Sequence, residues 1–138
     1  MSSTLKTLRI LSDPTRIRIL HLLRAEELSV LELQDILGMG QSRISTHLSQ
    51  LRQAGLVVDR RVGKNSIYAF DSEVDDIEGT LLAILNKSAG EVEETADDRA
   101  AMELSLAKRR DKARAYFDAL AGKFGKTYLP GRSWKALG

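Results

Sequence analysis

Apolar positions recur along this chain at helical spacing, most plainly in residues 40–57, GQSRISTHLSQLRQAGLV. Ile44, Leu48 and Leu51 stand at i, i+4 and i+7, which puts them on one stripe of a helix beginning near Gln41. That stripe needs a core. The opposite face carries Ser42, Arg43, Thr46, Ser49, Gln50 and Gln53, all hydrogen-bonding and none a carboxylate, a surface suited to a polyanion. Upstream, a short apolar-periodic segment stops at Ser12-Asp13-Pro14. Asp13 can cap a new helix whose first turn accepts Pro14, since the missing N–H would be unpaired there anyway. This helix is expected to run to about Glu27. Ile17, Ile19, Leu20, Leu22 and Leu23 surround more than one of its faces, as in the central helix of a small bundle. A third helix opens at Ser29, with Glu32 three residues on as in a capping box and Leu33, Ile36 and Leu37 as its apolar edge. Gly38 and Gly40 end it. Only about four residues then separate it from the helix at Gln41, the compact joint of a helix-turn-helix.

After Gly55 the period changes from helical to extended. LVVDRRVGKNSIYAF reads as strand, turn and strand, with Gly63-Lys64-Asn65 at the tip and Arg60 and Arg61 on the ascending arm. A two-stranded hairpin is marginal alone and must pack on the helices. Beside a helix-turn-helix, a basic hairpin is a wing. Val74, Ile77, Leu81, Leu82 and Leu85 then repeat at helical spacing. Their face can cap the monomer's core or, the preferred reading, form a symmetric homodimer seam from the N-terminal helix and the helix near 73–86. From Glu91 to about Gly122 the pattern stays helical, with Ala96, Ala100, Leu104, Ala107, Phe117 and Leu120 among charges. Acids cluster early and bases late, as the helix dipole favours. The fold class is therefore mostly α with a small β-hairpin: a winged helix-turn-helix with a C-terminal helical extension. The expected organisation is a winged-helix DNA-binding and dimerisation domain over 1–88, a long helical extension over 89–125, and a linker over 126–138 leading to an absent domain.

Composition narrows the chemistry. The 138 residues contain no cysteine, which excludes disulfides and thiolate metal sites and fits a reducing cytoplasm. No stretch approaches the roughly 20 apolar residues of a membrane span. The net charge of +2 conceals segregation. Residues 1–70 hold 10 Lys/Arg against 6 Asp/Glu, residues 71–107 hold 2 against 11, and residues 108–138 hold 9 against 2. A basic first block can bind phosphates in a nearly neutral chain, because salt confines each patch's field to about 8 to 10 Å. The basic run KRRDKARAYF is better read as a solvated helix face, given its interleaved acids. His21 and His47, 26 residues apart on different helices, offer no metal-ligand set. No pairing of nucleophile and base suggests an enzyme.

Three segments, LSDPTRIRILHLL, ELSVLELQDILGMGQSRISTHLSQLRQAGLV and DRRVGKNSIYAF, in this order and spacing, resemble the ArsR/SmtB family of dimeric winged-helix bacterial repressors over roughly residues 4–86. The resemblance implies a homodimer on double-stranded operator DNA of inverted-repeat sequence. It puts base-edge contacts on the first turns of the second helix of the motif, here Gln41, Ser42, Arg43, Ser45 and Thr46, and the wing tip on the backbone or minor groove. Within that frame Arg43 suits guanine and Gln41 adenine. Gln50 extends the reading face, His47 at its edge either packs structurally or touches a phosphate, and Arg60, Arg61, Lys64 and Asn65 supply the wing's contacts. Metal-sensing members carry a cysteine pair where Ser29 and Leu31 stand here, and others use histidines of a C-terminal helix, whereas this chain has no His after His47. No metal and no cofactor are therefore expected. The segment YLPGRSW resembles the linker of proteins that fuse such a domain to an S-adenosylmethionine-dependent methyltransferase. The alternative function is thus the regulatory module of such a fusion. No Gly-rich cofactor loop follows a strand in this chain, so no methyl transfer is expected of it.

Overall fold

The computed structural model describes residues 3–71 and 80–124. The expectations for Val74 and Ile77, for the start of the helix near 73–86, and for the 126–138 linker lie outside the described residues. The chain divides into two compact units, Met1–Glu103 and Leu104–Gly138.

In the first unit α1 (Ser3–Leu11) leads into α2 (Pro14–Ala25), the central helix. Asp13 caps α2 as its sequence suggests: the Thr15 N–H donates to its carboxylate at 2.8 Å, a bond worth about 1 kcal/mol. Ile19, Leu20 and Leu22 are completely buried and Ile17 and Leu23 nearly so. Each such side chain contributes roughly 1.5 to 3 kcal/mol relative to exposure, so α2 is the apolar axis of the domain. Both α1 and α5 (Thr80–Glu91) pack against it.

The helix-turn-helix consists of α3 (Val30–Leu37) and α4 (Gln41–Gln53), packed on each other. Ser29 and Glu32 form a reciprocal capping box, the Ser29 hydroxyl accepting from Glu32 N–H at 3.1 Å and the Glu32 carboxylate from Ser29 N–H at 2.9 Å. Gly38 ends α3 at φ 66°, a left-handed conformation that costs glycine nothing. Ile44, Leu48 and Leu51 are completely buried, so the stripe that predicts α4 is its inner face.

A three-stranded antiparallel sheet, ordered β1-β3-β2, completes this domain. Strands β2 (Val57–Val62) and β3 (Asn65–Phe70) are the hairpin, paired from Val57↔Phe70 to Val62↔Asn65. Asn65 opens β3 and is not part of the tip. The loop is Gly63-Lys64, and Gly63 at φ 62° provides the positive φ that two-residue hairpin turns require. The third strand, β1 (Leu28–Ser29), pairs Leu28 with Tyr68 and Ser29 with Ile67. Sequence periodicity does not reveal it, because two residues carry no period. The hairpin is anchored at its base by buried Leu56 and Val57, with the Asp71 N–H donating to the Leu56 carbonyl at 2.9 Å.

The helix expected from Glu91 to about Gly122 is continuous but begins four residues later, at Thr95, because the preceding helix runs on to Glu91. α5 ends at Glu91, and α6 (Thr95–Phe124) starts after a short turn. The Thr95 hydroxyl secures this turn by donating toward the Ala89 and Val92 carbonyls at 2.7 and 2.9 Å. The apolar positions singled out along this segment are not its buried ones. Asp98 and Met102 are buried, whereas Ala96 and Ala100 are exposed. Asp98 is inward because Arg18 neutralises it there. In the second unit Ser105 and Leu106 are buried, while Leu104, Tyr116 and Phe117 are exposed, the last two ring to edge at 5.8 Å. No described helix is long and apolar enough to cross a membrane.

Candidate nucleic-acid interface

With Ile44, Leu48 and Leu51 turned to the core, the helical period sends Gln41, Ser42, Arg43, Thr46 and Ser49 outward, and all five are exposed. Ser45, His47 and Gln50 are half-buried at the edges of this face. The N-cap of α4 is Gly40, which has no side chain to cap the helix's first N–H groups. The N–H groups of a helix's first turn and the helix dipole favour an anion at that end. The Thr46 hydroxyl donates to the Ser42 carbonyl at 2.9 Å, which orients it and leaves its lone pairs to accept. Arg43 reaches across to α2, its Nη2 lying 3.5 Å from the Thr15 hydroxyl. At this length the contact holds the guanidinium weakly and leaves it available to a ligand.

His47 and Gln50, both among the expected contact residues, are held by a single side chain of α2. Arg16 of α2 donates from Nε to His47 Nδ1 at 3.2 Å and from Nη2 to the Gln50 side-chain carbonyl, and from Nη1 to the Ile10 carbonyl at 3.3 Å. An arginine nitrogen only donates, so His47 Nδ1 must be unprotonated and the neutral ring carries its proton on Nε2. Burial pushes the His47 pKa down, as do Arg16 and Arg43; Asp13 opposes them. Arg16 is absent from the residues that sequence reasoning selected. Its signal is a cation interrupting the apolar run of α2, visible only once α4 is known to pack nearby.

The wing extends the basic surface. Arg61, Lys64 and Asn65 are exposed on the hairpin's strands and turn, and no ion pair of Arg61 or Lys64 occurs among the described residues. Arg60 is tied back, its Nη2 2.8 Å from the Glu27 carboxylate, with both side chains about half exposed. Arg52, at the end of α4, meets Asp59 of β2 at 3.3 Å and links the helix to the wing. No cluster of three or more His, Asp or Glu able to hold a metal ion occurs among the described residues.

A three-helix core carrying a helix-turn-helix, with a β-hairpin beside its second helix, defines a winged-helix protein. Residues 13–58 match the model for bacterial regulatory proteins of the arsR family. The chain is 35% identical over 81 residues to the arsenical resistance operon repressor of Staphylococcus xylosus, covering 59% of this chain and 78% of that protein. This chain belongs to the ArsR family. It is also 45% identical over 67 residues to the arsenic resistance transcriptional regulator ArsR1 of Pseudomonas putida, covering 48% of this chain and 52% of that protein. Reduced HlyU from Vibrio cholerae superposes with a TM-score of 0.52 at 34% identity, over 60% of this chain and 87% of that one. The chain spans about half the length of several curated relatives it matches.

Proposed function

We propose that this protein is a sequence-specific DNA-binding transcriptional regulator, a repressor by its usual output, that acts in the cytoplasm as a homodimer on an inverted-repeat operator. The observation that carries this reading is the outer face of α4, where Gln41, Ser42, Arg43 and Thr46 are exposed with no carboxylate among them, beside a wing bearing exposed Arg61 and Lys64. The major groove admits such a helix and distinguishes all four base pairs there. Arg43 is assigned to guanine O6/N7 and Gln41 to adenine. Ser42, Ser45 and Thr46 contact base edges or phosphates, and Arg61, Lys64 and Asn65 the backbone beside them. The names of the relatives, a transcriptional regulator and an operon repressor, support the same output.

The dimer is supported by what α1 and α5 leave uncovered. Both helices pack on α2, yet Leu5, Leu8 and Ile84 remain 59%, 48% and 37% exposed. Two copies joined through this seam would present paired α4 helices about 34 Å apart, the repeat of successive major grooves.

Electrophoretic mobility shift on the promoter of the protein's own gene, against a random duplex of equal length, tests the reading. A shift on the promoter that survives competition by the random duplex is expected. No shift on either, even at low salt where electrostatic binding is strongest, overturns it.

A further inference from the structure

We infer that Arg16 is a positioning residue for the DNA-reading face, holding α4 in rotation and register while His47 and Gln50 serve as its anchors instead of reading bases. The inference rests on the DNA-binding assignment of α4 and concerns how that face is kept in place. Residues 43, 47 and 50 stand at i, i+4 and i+7, so they form one stripe of α4. The first turn of α2 meets all three. Thr15 approaches Arg43, and Arg16 bonds both His47 and Gln50. A guanidinium is a rigid planar fork, so two bonds to residues one turn apart fix the angle of α4 about its axis as well as its height. A third bond, to the Ile10 carbonyl, uses an acceptor left over in the last turn of α1. One side chain therefore ties α1, α2 and α4 together. Turning α4 so that His47 or Gln50 could reach a base would break bonds to a charged donor, which cost more than neutral ones.

The groups facing His47 are Asp13 and Arg16 of the α2 start and Arg43 of α4 itself. Protonating Nδ1 removes the acceptor that Arg16 uses and places a second cation beside it. The anchored state therefore requires neutral His47.

The test uses Arg16→Lys, which keeps the charge and the aliphatic stem but has no fork, with circular dichroism confirming that it folds. Binding is measured to a duplex selected from a random pool by the wild-type protein and to a random duplex. The ratio of the two affinities should fall about tenfold, the scale of one bond to a charged group, with random-duplex affinity and salt dependence unchanged. An equal loss on both duplexes, with the salt slope reduced by about one unit, would make Arg16 a phosphate contact and overturn the inference. An unchanged ratio would overturn it too. The free protein supplies an independent readout: ring nitrogen resonances should show His47 as the Nε2–H tautomer with Nδ1 shifted by an accepted hydrogen bond, a shift lost in Arg16→Lys while the tautomer itself persists. An Nδ1–H tautomer in the wild type would refute the anchor. Should the wild type bind neither duplex, the regulator assignment fails, and the Nδ1 hydrogen-bond shift, present in the wild type and absent in Arg16→Lys, still decides whether the anchor exists.

Discussion

Arg18 and Asp98, eighty residues apart, meet in a two-bond fork, Nε and Nη2 donating to the two carboxylate oxygens at 2.8 Å each. Their side chains are only 13% and 3% exposed. The hydrogen bonds and charge of Asp98 hold the Arg18 guanidinium charged against the cost of burial. The pair fastens the start of α6 to the central helix.

Removing one partner strands the other charge in a nearly dry site. Asp98→Ala should therefore destabilise the protein by about 3 kcal/mol or more in urea unfolding, while the double variant Arg18→Met/Asp98→Leu recovers much of that loss. A double variant as unstable as the single one would show that the fork is not the source of the effect.

Arg43→Ala should weaken binding to the cognate operator by about 1 to 3 kcal/mol and relax the preference at one base pair. Quantitative binding to operators altered one position at a time checks this. An equal loss on random DNA would place Arg43 on the backbone.

The wing should contribute without regard to sequence. Arg61→Ala and Lys64→Ala are each expected to weaken cognate and random binding alike and to lower the salt slope by about one unit. Arg60→Ala should do less, because Arg60 is already paired with Glu27; that exposed pair itself is worth at most about 1 kcal/mol to stability. Affinities at several salt concentrations separate these outcomes.

Stability should fall as the medium becomes acidic. Burial lowers the pKa of His21, with Arg99 and Arg24 acting in the same direction, and it lowers that of His47. Below the ordinary value of about 6.5 the unfolded chain takes up protons that the folded protein resists, so unfolding is favoured until the folded pKa is reached. Above that value both forms are neutral and this contribution is fully present. Melting temperatures from pH 7.5 down to 5.5 should decline, and His47→Gln should flatten the decline. A melting temperature rising toward acid would contradict the assignment.

Leu8 is 48% exposed on α1. If the proposed dimer forms through the seam of α1 and α5, Leu8→Asp should sediment as a monomer at micromolar concentration and lose operator binding while keeping its helix content. A monomeric wild type would remove the dimer from the scheme.

Much of the fold was legible in the sequence because its signals are local. The Asp13 cap, the Ser29/Glu32 box and the Ile44, Leu48, Leu51 stripe depend on residues within two turns of one another, and each occurs where its spacing indicates. The exposed face of α4 follows from the same period, since fixing the inner stripe fixes the outer one. The extension was legible only as a helix. Its inward face includes Asp98, and hydrophobicity cannot nominate a carboxylate for burial.

What the sequence by itself determined, then, is the set of helices, the wing and the polar surface of α4, because helix period, caps and turn residues act over a few positions. Only the tertiary structure decided that β1 joins the sheet, that Arg18 buries Asp98, and that Arg16 takes His47 and Gln50 as partners 31 and 34 residues away. Those pairings depend on which surfaces the packed elements bring within hydrogen-bonding distance of each other, and no local spacing encodes that distance.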